Sequence, residues 1–270
     1  MTRTLLALAI TAALLLCPQP SLAQPGKAER YTVPLTDPSR PVRLRVSLLM
    51  GSISVEAYNG KEVVIESTAR EARRDAAPGK EGMHRIPMAG ADMNIQERDN
   101  VVTVETESLK SSVDLRIQVP VQTSVRLETV ENGEIRITGV HGDHELSNTN
   151  GGIEARQVSG SVVAHTVNGR VLVTFANVAP DKAMGFSTLN GAIDVTLPAS
   201  TRANLRIESM NGDVFTDFDV ATRQPVSKER PGGGHRIKLE RGVHGSINGG
   251  GPEFQFKTLN GNVHLRRSGS

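Results

Sequence analysis

The chain has no tryptophan, two tyrosines and a single cysteine in 270 residues. Pyranose grooves and single-strand nucleic-acid platforms stack their ligands on aromatic rings, and few rings are on offer here. The formal charge is +2, with 31 basic and 29 acidic residues mixed along the chain. No Lys/Arg block marks a nucleic-acid face, so nucleic acid is not an expected partner. Nucleophile signatures are missing as well. There is no Gly-x-Ser-x-Gly elbow, and Gly232–Gly234 and Gly249–Gly251 lack the Lys-Ser/Thr of a phosphate loop.

The one long apolar run stands at the start. Arg3, then Leu5 to Leu16, then Ser21-Leu22-Ala23 before Gln24 read as the n-region, h-region and cleavage site of a secretory signal over residues 1–23. The run is too short to cross a bilayer core of roughly 30 Å as a helix. Acylation of Cys17 is the alternative, but Leu16 precedes it where such processing favours a small residue. Cleavage after Ala23 leaves 247 residues with no cysteine, hence no disulfide and no thiolate chemistry. The expectation is an exported protein, periplasmic or extracellular, with no transmembrane span in its mature part. Its stability must come from burial and strand pairing.

What the chain does have is a repeat. Asn-Gly pairs stand at Asn132-Gly133, Asn150-Gly151, Asn168-Gly169, Asn190-Gly191, Asn211-Gly212 and Asn260-Gly261, the first five separated by 18, 18, 22 and 21 residues. Three residues after each asparagine comes Ile135, Ile153, Val171, Ile193, Val214 or Val263. Five after comes Ile137, Ala155, Val173, Val195, Thr216 or Leu265. Four before come Leu146, Ala164, Phe186, Ile207 and Phe256, in phase with Val162, Met184, Leu205 and Phe254 six before. Alternation on both sides of each pair predicts two strands with one buried face each. Asn-Gly between them predicts a tight turn, since both residues tolerate positive φ.

Two all-β architectures fit. In an antiparallel meander each Asn-Gly is a hairpin tip. In a single-stranded β-solenoid or β-helix of stacked units, about 18 to 22 residues each, each Asn-Gly is a corner and like residues stack on like. Val167, Leu189, Met210 and Leu259 stand directly before Asn. At a hairpin tip these side chains lie in water, whereas a solenoid corner lets them turn inward, which favours the solenoid. A stacked asparagine row would then share side-chain hydrogen bonds between rungs.

Residues 24–122 form a less regular β part, with a charged, Gly/Pro-containing insertion over 69–91. Residues 123–270 carry the repeat, and the two read as one continuous domain. Thr222 to Gly234 interrupts the array. The Asn260 copy then ends it, with Arg266 and Arg267 placed to shield the last edge.

The run from Leu115 to Phe175, LRIQVPVQTSVRLETVENGEIRITGVHGDHELSNTNGGIEARQVSGSVVAHTVNGRVLVTF, resembles the bacterial putative-adhesin domain, a domain of unknown function. The shared features are the v-P-x-x-x-x-l-x-v approach at Pro120 and the t-x-n-G-x-i-x-v units; Gly51 to Ser67 also resembles that family's opening segment. The resemblance implies a β-solenoid-like fold and a cell-envelope location, and it carries over no catalytic residues.

Candidate chemistry is sparse. His141, Asp143 and His144 are zinc-ligand types, and His165 lies about one repeat further on, but His-x-x-His in a Gly-containing turn is not a helical protease motif. Asp213, with Asp217 and Asp219, offers carboxylates for calcium without the spacing of a known loop. Glu134, Glu154, Asp194 and Asp213 follow Asn-Gly turns and would stack into an acidic row, the raw material of a glycosidase. A solvated polar face explains all of these more simply. The expected function is therefore a non-enzymatic envelope protein presenting a repetitive surface to an envelope polymer or protein, without a cofactor. The alternative is a periplasmic carbohydrate-active lyase or hydrolase on the same scaffold.

Overall fold

The computed structural model describes residues 28–70, 93–106, 112–222 and 242–269. The 1–23 signal segment with Cys17, nearly all of the 69–91 insertion and residues 223–241 with Gly232–Gly234 lie outside them. Every regular element among the described residues is a strand.

The strands join into one continuous sheet folded into two faces. On the first face, Val42–Met50, Thr123–Glu131, His141–Asn150, the second half of Ile153–Asn168, Met184–Asn190, Glu253–Asn260 and Ala203–Asn211 follow one another, all parallel. On the second face the parallel order is Ser112–Pro120, Ile53–Tyr58, Ile135–Thr138, the first half of Ile153–Asn168, Val171–Val178, Ile193–Leu197, Val263–Arg267 and Val214–Thr216. The strand Ile153–Asn168 belongs to both faces. It bends where Gln157 takes a φ of +50° and its register with Val171–Val178 slips. The strands flanking each Asn-Gly thus pair with strands of other units, in parallel, and the antiparallel meander does not describe this array.

The side-chain logic is one of columns. Strand side chains alternate between faces of the sheet, so parallel strands in register stack every inward residue on its counterpart. Val46, Leu127, Leu146, Ala164, Phe186, Phe256 and Ile207 form one inward column. Leu115, Ile53, Ile135, Ile153, Val171, Ile193 and Val263 form another on the opposite face. Nearly all of these are fully buried, in one contiguous core. Each such side chain larger than alanine contributes roughly 1.5–3 kcal/mol by leaving water. Phe186 and Phe256 stack at 5.1 Å beside the small Ala164, which leaves room next to the two rings.

The spatial order departs from the chain order at both ends. The Asn260 unit does not close the stack: it lies between the Asn190 and Asn211 units, hydrogen-bonded on both edges. Arg266 and Arg267 accordingly lie inside the array and not at its end. They meet Asp194 and Asp219 there. At the other end Val42–Met50 and Ile53–Tyr58 are likewise enclosed, between Val101–Thr106 and Ser112–Pro120 outside and the Asn132 unit inside. Antiparallel strands complete the ends. Ala28–Pro34 lies on Glu62–Arg70, Met93–Arg98 on Val101–Thr106, and Val243–Ile247 on Ala203–Asn211. Ala69 and Arg70 continue a strand and do not open the insertion.

Candidate binding surface

The corner is the repeated device. Thr129, Thr166, Thr188 and Thr258 are buried, and each hydroxyl donates to a glycine carbonyl one rung away: Gly51, Gly151, Gly169 and Gly191, at 2.9–3.1 Å. Asn148 Nδ2 does the same to Gly133 at 3.0 Å and Ser209 Oγ to Gly261 at 3.2 Å. The Ser/Thr two residues before Asn is thus a satisfied buried donor, closing a carbonyl that the turn strips from the ladder.

The glycines serve close approach more than positive φ. A Cβ on Gly133, Gly151, Gly169, Gly261 or Gly212 would lie 1.8–2.2 Å from the carbonyl oxygen of the neighbouring rung's glycine. Of the six pairs, Asn132 alone has a left-handed asparagine, at φ +58°. The parallel stack brings backbone against backbone at this column, and no side chain fits between.

Beside the glycines runs an amide row. Asn168 Nδ2 donates to Asn150 Oδ1 at 2.8 Å, Asn190 to Asn168 at 2.8 Å, Asn260 to Asn190 at 2.7 Å and Asn211 to Asn260 at 2.9 Å. One residue back, the side chains expected to turn inward point out instead. Leu189 is 43% and Met210 62% exposed, with Val167 and Leu259 half-buried beside them and Val130 exposed one end further on. The reason is parity. Thr166 and Thr188 occupy the inward positions, so the next residue in each strand must face solvent. The result is an outward stripe of Val167, Leu189, Leu259 and Met210 along the asparagine row.

The zinc-type residues are not brought together. His144 faces the core, stacked between Val125 and Val162 and 2% exposed, with Nε2 3.2 Å from the Ser159 carbonyl oxygen. Burial pushes its pKa down to about 4, against the opposing pull of that carbonyl. Asp143 faces the opposite side. Both its oxygens accept from Lys182 Nζ at 2.6 and 2.7 Å, and Oδ1 accepts from Ser161 Oγ at 2.7 Å. These bonds, Lys182 first, hold its carboxyl below the usual range. His165 pairs with Ser147 and Ser187 on the outer surface. Asp213 sits at the far end of the stack, where its N–H donates to Asn262 Oδ1. Asp217 and Asp219 accept from the backbone N–H and guanidinium of Arg267. Among the described residues no three His, Cys, Asp or Glu side chains gather as metal ligands.

The acidic row is broken by other residues. Arg136, Glu154, Leu172, Asp194, His264 and Phe215 succeed one another in one outward column. Glu154 takes Arg136 and Arg156, Glu134 takes Arg136, and Asp194 takes Arg266 at 3.0 Å. Phe215 stacks on His264 at 5.1 Å. A depression of about 430 Å³, touching Asn177, Pro180, Pro198 and Arg202, is lined by no carboxylate. A second, of about 310 Å³, holds Glu105 and Glu128 together with Arg45 and Arg126. Neither presents the pair of bare carboxyls that glycoside hydrolysis needs.

The chain that builds this array matches a known family model, Toastrack DUF4097, over residues 40–248. The chain belongs to the Toastrack family. Among solved structures, this Toastrack chain is similar to a "putative cell adhesion protein" from Clostridium sporogenes ATCC 15579, at 11% identity and a TM-score of 0.50. That match covers 90% of this chain and 100% of the other. A "putative adhesin" from Bacteroides fragilis NCTC 9343 matches at 9% identity and a TM-score of 0.42, covering 90% and 97%. At 11% identity the first likeness concerns the fold alone. No curated protein matches the chain. No helix among the described residues is long and apolar enough to cross a membrane.

Proposed function

We propose that this Toastrack protein is a non-enzymatic, adhesin-like component of the cell envelope. In this reading it is a β-solenoid of stacked Asn-Gly units that presents a repetitive surface to an envelope polymer or protein. The observation that carries the reading is the outward stripe of Val167, Leu189, Leu259 and Met210 in register along the asparagine row. Rungs about 4.8 Å apart repeat one modest contact along the stack, which suits an extended partner better than a compact one. The outward acids support the same reading, since arginines neutralise Glu154 and Asp194 and leave no free acid–base pair there. We assign residues 1–23 as the removed signal, 24–122 and 123–270 as one continuous unit, and the periplasm or the cell exterior as its place of work.

The test is a glycan and peptidoglycan array screen of the mature protein, with turnover assayed on the same polymers. Binding without product release is expected, weakened by Leu189→Lys or Met210→Lys while thermal unfolding stays unchanged. Product release overturns the reading in favour of a carbohydrate-active enzyme.

A further inference from the structure

Asparagine followed by glycine is the sequence most prone to spontaneous deamidation, because glycine leaves its amide nitrogen unobstructed. The glycine nitrogen attacks the asparagine Cγ, a new N–Cγ bond forms, and the Cγ–Nδ2 bond breaks. The leaving amide nitrogen takes up the proton lost by the glycine nitrogen and departs as ammonia. Water then adds to one of the two imide carbonyls and opens the ring to aspartate or isoaspartate. This chain carries eight such pairs, at Asn59, Asn132, Asn150, Asn168, Asn190, Asn211, Asn248 and Asn260. Their surroundings differ sharply.

Attack requires the Asn amide to rotate and the glycine nitrogen to be free. In the ladder the amides are held, and at two turns the nucleophile is held as well. The side chains of Asn168, Asn190 and Asn260 each donate to one neighbour and accept from the other. The nucleophile is also engaged at two of them: Gly169 N donates to Asn190 O at 3.0 Å, and Gly191 N to Asn260 O at 2.9 Å. All five ladder asparagines end paired strands. Asn150 and Asn211, at the two ends, keep one side-chain bond each. Asn248, outside the ladder, donates Nδ2 to Ala199 O at 2.9 Å and to Thr201 O at 2.7 Å.

Asn59 and Asn132 stand apart. Both are exposed and lie beyond the last residue of their strands, Tyr58 and Glu131. Among the described residues neither side chain meets a hydrogen-bond partner, and Asn132 sits at φ +58°. Two residues separate Thr129 from Asn132, against one between Thr166 and Asn168, and the extra residue carries Asn132 out of line with the row, so the ladder starts one rung later, at Asn150. We propose that Asn59 and Asn132 are the deamidation sites of this protein, and that the asparagine ladder chemically protects the turns it joins. Reaction at Asn132 places a new carboxylate between Glu131 and Glu134.

The experiment is a time course of the folded mature protein at mildly alkaline pH, followed by peptide mapping with mass spectrometry that separates aspartate from isoaspartate. A urea-unfolded sample supplies the reference rate for each pair. Folded Asn59 and Asn132 are expected to react near their unfolded rates. Asn168, Asn190 and Asn260 are expected to be slower by about thirtyfold, the factor that two ordinary hydrogen bonds supply. Asn150→Ala, which removes the acceptor of Asn168, should raise the rate at Asn168 and leave Asn260 unchanged. Asn211→Ala should do the converse from the other end, so the test survives if one variant fails to fold. Equal rates at all eight folded sites, or first reaction inside the ladder, overturn the proposal. So does a folded end variant that leaves its neighbour's rate untouched.

Discussion

His144 stands in a column of valines, and that placement makes a quantitative claim. The imidazole is 2% exposed and lies between Val125 and Val162. Burial disfavours its charged form and lowers its pKa from the ordinary 6.5 to about 4. The unfolded chain therefore binds more protons than the folded one between these two values, and stability falls as pH falls through that window. Above pH 6.5 the residue costs nothing by this route. The loss is about 2 kcal/mol at pH 5 and approaches about 3 kcal/mol below pH 4, at 1.36 kcal/mol per pKa unit. Against a typical total of 5–15 kcal/mol, that is a large share. The assay is urea unfolding of the mature protein and of His144→Leu at intervals from pH 8 to pH 4. The two should lie within about 1 kcal/mol of each other at pH 7, since the lost contact to the Ser159 carbonyl is offset by apolar packing. They should diverge below pH 6, with the leucine variant the more stable. Asp143 keeps its Lys182 bonds in both proteins and subtracts out of the comparison. Parallel pH profiles for the two proteins would refute the reasoning.

Three further outcomes follow from the corner and the surface. Gly169→Ala places a Cβ 2.2 Å from the Gly151 carbonyl and should destabilise by about 1–3 kcal/mol, whereas Gly152→Ala, with its nearest contact at 3.5 Å, should change urea stability by under about 0.5 kcal/mol; equal effects would contradict the close-approach account. Thr166→Val keeps the shape but leaves the Gly151 carbonyl without its donor, at a cost of about 1–2 kcal/mol in the same titration, and no loss would show that bond to be idle. EDTA should leave the melting temperature unchanged, because Lys182 and Arg267 engage the carboxylates at Asp143, Asp217 and Asp219; a clear drop would restore a metal to the stack.

Much of the core was legible in the sequence because a period repeats itself. Around Asn150, Asn168, Asn190 and Asn260, the residues three and five after the asparagine and four and six before it stand in the inward columns of the structure, as the alternation required. The corner was only half legible. Threonine two residues before Asn was visible as a pattern, but its partner is a glycine carbonyl on another rung, which local sequence does not reveal. The same blindness turned Leu189 and Met210 the wrong way. Once Thr188 and Ser209 claim the inward corner, parity sends the next side chain to solvent. His144 was placed on a solvated turn, with zinc ligation only a weak candidate, for a related reason: the outward Asp143 and the inward histidine are neighbours in sequence, and a strand separates them onto opposite sides.

The order of the rungs was hidden more deeply. Period says which segments are equivalent and is silent on which lies beside which. The one hint was the gap between Asn211 and Asn260, more than twice any earlier step, which marks a chain that leaves the array and returns. The structure uses that return to insert Glu253–Asn260 and Val263–Arg267 between two existing rungs. Val42–Met50 and Ile53–Tyr58 are enclosed in the same way at the opposite end. A terminal strand laid on the outside of a parallel stack leaves a row of unpaired N–H and C=O groups and frays first. Placed one rung in, the same strand is paired on both edges, and it cannot peel away without opening the neighbours that flank it. Both ends of the repeat array are therefore held by internal pairing, in a stretch from residue 24 onward that has no cysteine to fasten them any other way.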